Sequence, residues 1–319
     1  MQSFKISIFS LIFVLVILIS AIHYRVDIKN SIILDIASGS STSSIATSLH
    51  ENKIILNPTV FKIYVRISSN DHKFKAGEYK FKSAQSIHSI VDKLTNGDFF
   101  YRKLTLLPGS TISNILKLRN SEGLINDLAT DPEKLLKKKG ITLQEGIFFP
   151  DTFFYLKGEN FSSILIKSYE KWKKISKDLW INRNLNLPFK DLNEAVTLAS
   201  IIEKEGLEKR KIAGVFVNRL NKNMKLQSDP TVIYALGSEF DGNLTRKNLR
   251  IDNPYNTYRY RGLPPGPISI VSYDSLEAAL NPLLTDYLYF VSMGNGFHKF
   301  SKTLTEHNEA VLKYQINDR

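Results

Sequence analysis

The stretch LASIIEKEG, residues 198–206, closes an apolar run with two glutamates separated by one lysine. On a helical wheel at about 100° per residue, Leu198, Ile201 and Ile202 form a bulky apolar arc. Glu203 falls between Val196, Ala199 and Ser200, on the side with the smallest side chains, where a ligand has room. Lys204 turns toward Thr197. Glu205 lies near Leu198, one residue before Gly206 ends the helix, at a frayed end whose dipole disfavours negative charge. A glutamate at a helix end is ordinarily just solvated. A carboxyl group beside small residues is also suited to proton transfer, and Glu203 is the candidate acid.

Three polar segments follow. LQSDPTVIYALG, residues 226–237, gathers Gln227, Ser228, Asp229 and Thr231 around Pro230. NPYNTYRYRGLPPGPIS, residues 253–269, interleaves Tyr255, Asn256, Thr257 and Tyr258 with a rigid Gly-Leu-Pro-Pro-Gly-Pro turn. Residues 287–311 read as a strand, a Gly-rich turn, a short strand and a helix, and carry His298 and His307. Amides, hydroxyls and tyrosines around one carboxylic acid suit a carbohydrate, which offers hydroxyls to hydrogen-bond and C–H faces to stack on. Gln227, Asp229, Tyr255 and Asn256 are the candidate substrate-binding residues. The competing reading is local hydrogen bonding that shapes the loops and, for Asp229, a turn or helix cap before Pro230. The sequence has no GxxxxGK[ST], GxGxxG, GxSxG or HExxH motif, and its six histidines do not cluster as ligands. No metal and no cofactor is expected.

These segments need elements to hold them. Before residue 105 the chain alternates short strands and capped helices: a helix begins at one of residues 41–44, Pro58 follows Asn57 as a first helical residue, and Tyr79 and Phe81 alternate as a strand before a helix with Ile87, Ile90, Val91 and Leu94. The scheme recurs after residue 102. EGIFFPDTFFYLKG, residues 145–158, reads as a turn with core aromatics or as a platform for sugar rings, and Asp191 or Asn193 caps the helix bearing Glu203. Loose strand–turn–helix units predict an α+β fold.

Lys5 precedes an uncharged run rich in Ile, Leu, Val and Phe over residues 6–22. At roughly 17 residues it approaches bilayer length and lacks a small-residue cleavage site, so an uncleaved anchor is expected, with the remainder outside the cytoplasm. Net charge is +12, which fits an acidic partner such as nucleic acid, anionic lipid or cell-wall polymer. The anchor disfavours nucleic acid. The absence of cysteine excludes disulfides, thiol chemistry and cysteine-bearing zinc sites.

Taken in order, LASIIEKEG, VNRL, LQSDPTVIYALG, YNTYRYRGLPPGPIS and YLYFVSMGNGFHKF resemble the endolytic murein transglycosylases, the MltG or YceG-like family. The resemblance covers nearly the whole chain. It implies an anchor at residues 1–24, a LysM-like module at 25–104 and a mixed α/β catalytic domain at 105–319. It implies cleavage of the bond between N-acetylmuramic acid and N-acetylglucosamine in nascent peptidoglycan strands, leaving 1,6-anhydro ends. The location would be the inner (cytoplasmic) membrane, single-pass, with penicillin-binding proteins as plausible partners. By the same resemblance Glu203 matches the catalytic glutamate, acid then base, and Glu205 a second, non-catalytic one. As a general acid Glu203 should be partly buried, with a raised pKa and few cationic contacts. The sequence departs from the family after the Pro-rich turn, where Ser269-Ile270-Val271-Ser272 stands for a Ser-Asn-Pro-Gly-like stretch and should reshape that loop. A non-catalytic glycan-binding scaffold and a peptidoglycan hydrolase are the alternative functions.

Overall fold

The computed structural model describes residues 2–70, 73–82, 85–294 and 296–316, the side chains of residues 2–8, 11 and 316 excepted. The chain divides into two compact units, Met1–Arg102 with Phe154–Glu159, and Lys103–Phe153 with Asn160–Arg319.

The first unit carries α1 (Gln2–His23), β1 (Ile32–Ile36), α2 (Thr42–Glu51), α3 (Pro58–Ile67), β2 (Gly77–Phe81) and α4 (Ile87–Asn96). Its helices start where short polar side chains satisfy the first free N–H groups. Ser41 accepts from Ser44 N at α2, and Asn57 accepts from Thr59 N and Val60 N at α3, with Pro58 next in line. Ser86 and Ser89 cap α4 reciprocally, and Gly97 ends it at φ 74°. Strands β1 and β2 pair antiparallel from Ile32 opposite Phe81 to Ile36 opposite Gly77. One core gathers Leu49, Phe61, Val65, Tyr79, Phe81 and Leu94, all fully buried, each worth roughly 1.5–3 kcal/mol on burial.

Residues 6–22, expected to cross a membrane, fall in α1, but the side chains of residues 6–8 and 11 lie outside the described residues. Among the described residues no helix is long and apolar enough to cross a membrane.

Further elements are β3 (Arg102–Thr105), α5 (Ile112–Lys117), α6 (Pro132–Lys138), β4 (Thr152–Tyr155), α7 (Phe161–Ile181), α8 (Leu192–Glu205), α9 (Lys209–Asn221), α10 (Asp229–Leu236), α11 (Tyr273–Leu280), β5 (Tyr289–Ser292), β6 (His298–Ser301) and α12 (Leu304–Val311). The small sheets β3–β4 and β5–β6 are each two-stranded, the latter antiparallel with Ser292 opposite His298. Helices with small separate sheets make the fold α+β. Within 145–158, Phe148, Phe153 and Tyr155 are buried, so that segment is largely core aromatic rather than a platform. The second unit is arranged around α8, which packs against α9, α10 and α11. Residues 195–202 are buried without a break, so α8 is enclosed on every side instead of presenting one wet face.

In the first unit, Glu78 is 7% exposed and receives both Nε and Nη2 of Arg102, at 2.9 and 3.0 Å. Removing one partner strands the other. Glu78→Ala is expected to lower stability by about 3 kcal/mol in urea denaturation, and Glu78→Leu with Arg102→Met to recover most of it. Equal stability of Glu78→Ala and wild type would contradict this.

Candidate active site

The end of α8 is built inside the protein. Asp191 caps its start by accepting from Glu194 N at 2.9 Å. Gly206 ends it, and a Cβ there would stand 2.6 Å from the His298 ring. Glycine is what lets β6 close over the helix end.

Glu203 is 8% exposed at its side chain and is tied down at both oxygens. Oε1 accepts from Lys209 Nζ at 2.8 Å, and Oε2 accepts from Ser272 N at 2.7 Å and Ser272 Oγ at 2.6 Å. Lys209 also donates to the hydroxyls of Ser272 and Ser275, at 3.1 and 2.7 Å. Burial alone would push the Glu203 carboxyl up, but Lys209, the two Ser272 donors and Ser275 together hold it below the ordinary carboxylate value. This corrects the sequence expectation. Glu203 is buried as anticipated, yet it faces a cation and is held ionised.

Glu205 occupies the opposite situation. It is half-buried in the wall of a cavity of about 680 Å3, with Arg219, Gln227, Asp229, Tyr258 and His298. Its Oε1 accepts from Ser228 Oγ at 2.5 Å. Burial pushes its carboxyl up to about 7, and the charge of Asp229 adds to the rise, against smaller opposing effects of Ser228 and Arg219. The Arg219 guanidinium, which donates to the carbonyls of Leu288, Lys225 and Leu226, keeps its charge but lowers the Glu205 carboxyl by less than burial raises it. Burial holds His298 and His307 below the ordinary imidazole value, so both rings bordering the cavity are neutral at pH 7.

The candidate binding residues separate. Gln227 and Asp229 line the Glu205 cavity and are exposed. Asp229 is the first residue of α10, after Ser228, and accepts from Tyr258 OH at 2.5 Å. Gln227 holds a left-handed φ of 52°, a strained conformation for a side chain of its kind. Tyr255 is not in this cavity; its ring packs on Tyr234 with centroids 4.9 Å apart. Asn256 is fully buried, donates to the carbonyls of Leu249 and Ile251 and accepts from Tyr258 N. That residue shapes the loop and offers nothing to a substrate.

Glu205 and Glu145 are the groups that sequence reasoning passed over. No local signal marked Glu205, because Ser228 and His298, which close over the end of α8, lie far along the chain. The Ser269–Ser272 departure is also resolved. Gly109 N donates to Ile270 O and Ile270 N to Ser110 O, so the loop is pinned. Ser272 caps α11 and supplies two of the donors to Glu203.

The end of α8 thus sets a carboxylate paired with Lys209 next to a polar cavity, edged by tyrosines and amides, that holds a glutamate of raised pKa. Residues 34–313 match the model of the YceG-like family. The chain is 35% identical to an endolytic murein transglycosylase of Bacillus subtilis, over 90% of this chain and 86% of that one. It is 26% identical to an endolytic murein transglycosylase of Streptococcus pneumoniae, again over 90% of this chain, but it spans only 59% of that longer protein. A YceG-like protein of Listeria monocytogenes, solved at 2.6 Å, superimposes with TM-score 0.53 at 35% identity, covering 88% of this chain and 99% of that one. The chain belongs to the YceG-like family.

Two stability profiles test the opposed glutamates. Glu203 lies below its ordinary 4.5, so the stability it adds is present above pH 4.5 and is lost as pH falls through the folded value. Glu203→Ala is expected to cost about 3 kcal/mol at pH 7, and less in acid. For Glu205, ionisation in the folded state is penalised from pH 4.5 upward and fully above about 7. Glu205→Gln should therefore gain stability relative to wild type between pH 5 and pH 8. Thermal melts at both pH values check each sign, and parallel profiles for the two variants would contradict the assignment.

Proposed function

We propose that this chain is an endolytic peptidoglycan lytic transglycosylase, and that Glu205, rather than Glu203, is its general acid and then base. The observation that carries the choice is geometric: Glu205 lines the cavity, whereas both oxygens of Glu203 are occupied by Lys209 and Ser272; the raised carboxyl of Glu205 agrees with it. An acid must hold its proton at the working pH, and a carboxylate bound by a lysine and serine donors does not.

In this reading Glu205 protonates the oxygen linking C1 of N-acetylmuramic acid to the next N-acetylglucosamine. The C1–O bond breaks, and the 2-acetamido group supports the oxocarbenium-like centre. The Glu205 carboxylate then takes the proton of the muramic C6 hydroxyl. That oxygen bonds to C1, giving a 1,6-anhydro end without water and returning the proton to Glu205. Asp229, held by Tyr258, keeps negative charge near Glu205 and so favours its protonated form. The apolar run at residues 6–22 would anchor the chain at the inner membrane with this unit outside the cytoplasm, within reach of penicillin-binding proteins. A second reading, hydrolysis, is favoured by one observation: Asp229 borders the same cavity as Glu205 and is the available base for a water.

Polymeric peptidoglycan incubated with the protein and read by mass is expected to give internal fragments with anhydro ends. Reducing ends would establish hydrolysis instead, and no cleavage would remove both readings. Glu205→Gln should lower turnover by about 10²–10⁴-fold with the fold retained, while folded Glu203→Gln keeps a larger share of activity. The reverse ranking would return the acid role to Glu203. The rate should fall as pH rises through about 7, because Glu205 loses its proton there. Asp229→Asn, by removing a charge that raises Glu205, should move that fall to lower pH.

A further inference from the structure

A second polar cavity, of about 490 Å3, lies in the same unit and has no part in the reaction described above. The two cavities draw on the same two elements. At the end of α8, Lys204 lines this cavity and Glu205 lines the other. From α10, Pro230, Ile233 and Tyr234 line this cavity and Asp229 the other. The ends of α8 and α10 therefore form a wall common to both cavities.

Its lining differs in kind. Lys117 and Lys204 are both exposed, and neither has an acidic partner among the described residues; Lys204 makes only a long 3.4 Å contact to Gly109 O. Ser113, Asn114 and Ser238 add hydroxyls and an amide, and Pro230, Ile233 and the Tyr234 ring add an apolar wall. Glu145 stands in the same cavity, but both its oxygens accept from Ile112 N, and its carboxyl is pushed up to about 7, chiefly by burial. Near neutrality it thus offsets the two ammonium groups only in part. A neutral sugar has no use for two uncompensated cations. A short peptide with carboxylates and small apolar side chains uses every part of this lining: ammonium groups for carboxylates, hydroxyls and amide for peptide bonds, the apolar wall for methyl groups.

We propose that this cavity is a subsite for the carboxylate-bearing peptide branch of a peptidoglycan strand whose sugar backbone lies at Glu205. The inference rests on the peptidoglycan reading and deepens it. It makes the enzyme discriminate between strands that carry peptide branches and strands stripped of them.

The test measures binding of two glycan fragments of equal length, one carrying peptide branches and one stripped by an amidase and then capped as simple amides at the lactyl carboxylates so exposed, to the full chain with Glu205→Gln so that no turnover intervenes. The branched fragment is expected to bind about tenfold more tightly. Lys117→Ala with Lys204→Ala should abolish that difference and leave the stripped fragment's affinity and the melting temperature unchanged. Charge reversal, Lys117→Glu with Lys204→Glu, should make the branched fragment the weaker binder. Equal affinity of the two fragments for the parent protein would overturn the proposal. So would an equal loss for both fragments in the double variant, which would make the cavity a sugar site. Cleavage by wild type, followed separately on both fragments, tells a failure of the peptidoglycan reading from a failure of the subsite.

Discussion

The Glu203–Lys209 ion pair joins the last turn of α8 to the first residue of α9, and Ser272 and Ser275 tie both to the start of α11. Taken helix by helix, each charge stands at an unfavourable end. A carboxylate near the C-terminus of α8 meets carbonyl dipoles, and an ammonium at the N-terminus of α9 meets N–H dipoles. The third helix resolves this. Ser272 N, at the head of α11, points its N–H at Glu203, so the carboxylate sits on a positive helix end as well as on a lysine. Three helices can converge in a nearly dry place because one buried pair and three serine donors, Ser272 N and the two hydroxyls, satisfy each other.

The position of Glu205 follows from that anchoring. Successive helical residues point about 100° apart, so fixing Glu203 inward sends Lys204 and Glu205 in two other directions, here into two different cavities. Glutamates two residues apart in one helix thereby have their carboxyl pKa values moved in opposite directions. Residue type does not decide this. Glu203 faces an ammonium and several donors; Glu205 faces one hydroxyl and a neighbouring carboxylate. Environments that push two like groups apart are the usual signature of divided acid–base roles.

Much of the local architecture was legible. The caps at Ser41, Asn57 and Asp191, the stop at Gly97, and the strand–turn–strand–helix of residues 287–311 follow from short-range rules that act within a few residues. The site was legible as a region; the surroundings of its two glutamates were not. The wheel treated the end of α8 as if solvent lay beyond it, so Glu205 was set aside as frayed. What encloses it comes from far along the chain: Ser228 from the head of α10, and His298 from β6 against Gly206. The lysine on Glu203 was likewise out of view, because Lys209 belongs to the next helix and a wheel has no third dimension. Asn256 was misassigned for a related reason. An amide in a loop serves a ligand or the loop itself, and only the carbonyls of Leu249 and Ile251 decide which.

The charges around Glu205 explain why the proton-holding state survives in a strongly basic protein. Among the residues lining its cavity Arg219 brings the positive charge; three backbone carbonyls hold its Nε and Nη1, and its pull on Glu205 is weaker than the effect of burial. His298 and His307 are kept neutral by burial, the first despite Glu208 beside it at 3.6 Å and the second helped by Arg219. Asp229 adds a negative charge and carries Tyr258 with it. Were either imidazole to gain a proton, its field would favour the ionised carboxylate. Neutral histidines are thus part of what keeps the Glu205 carboxyl above its ordinary pKa. The strained backbone at Gln227 on the same rim shows that this arrangement is held against local preference by the surrounding structure.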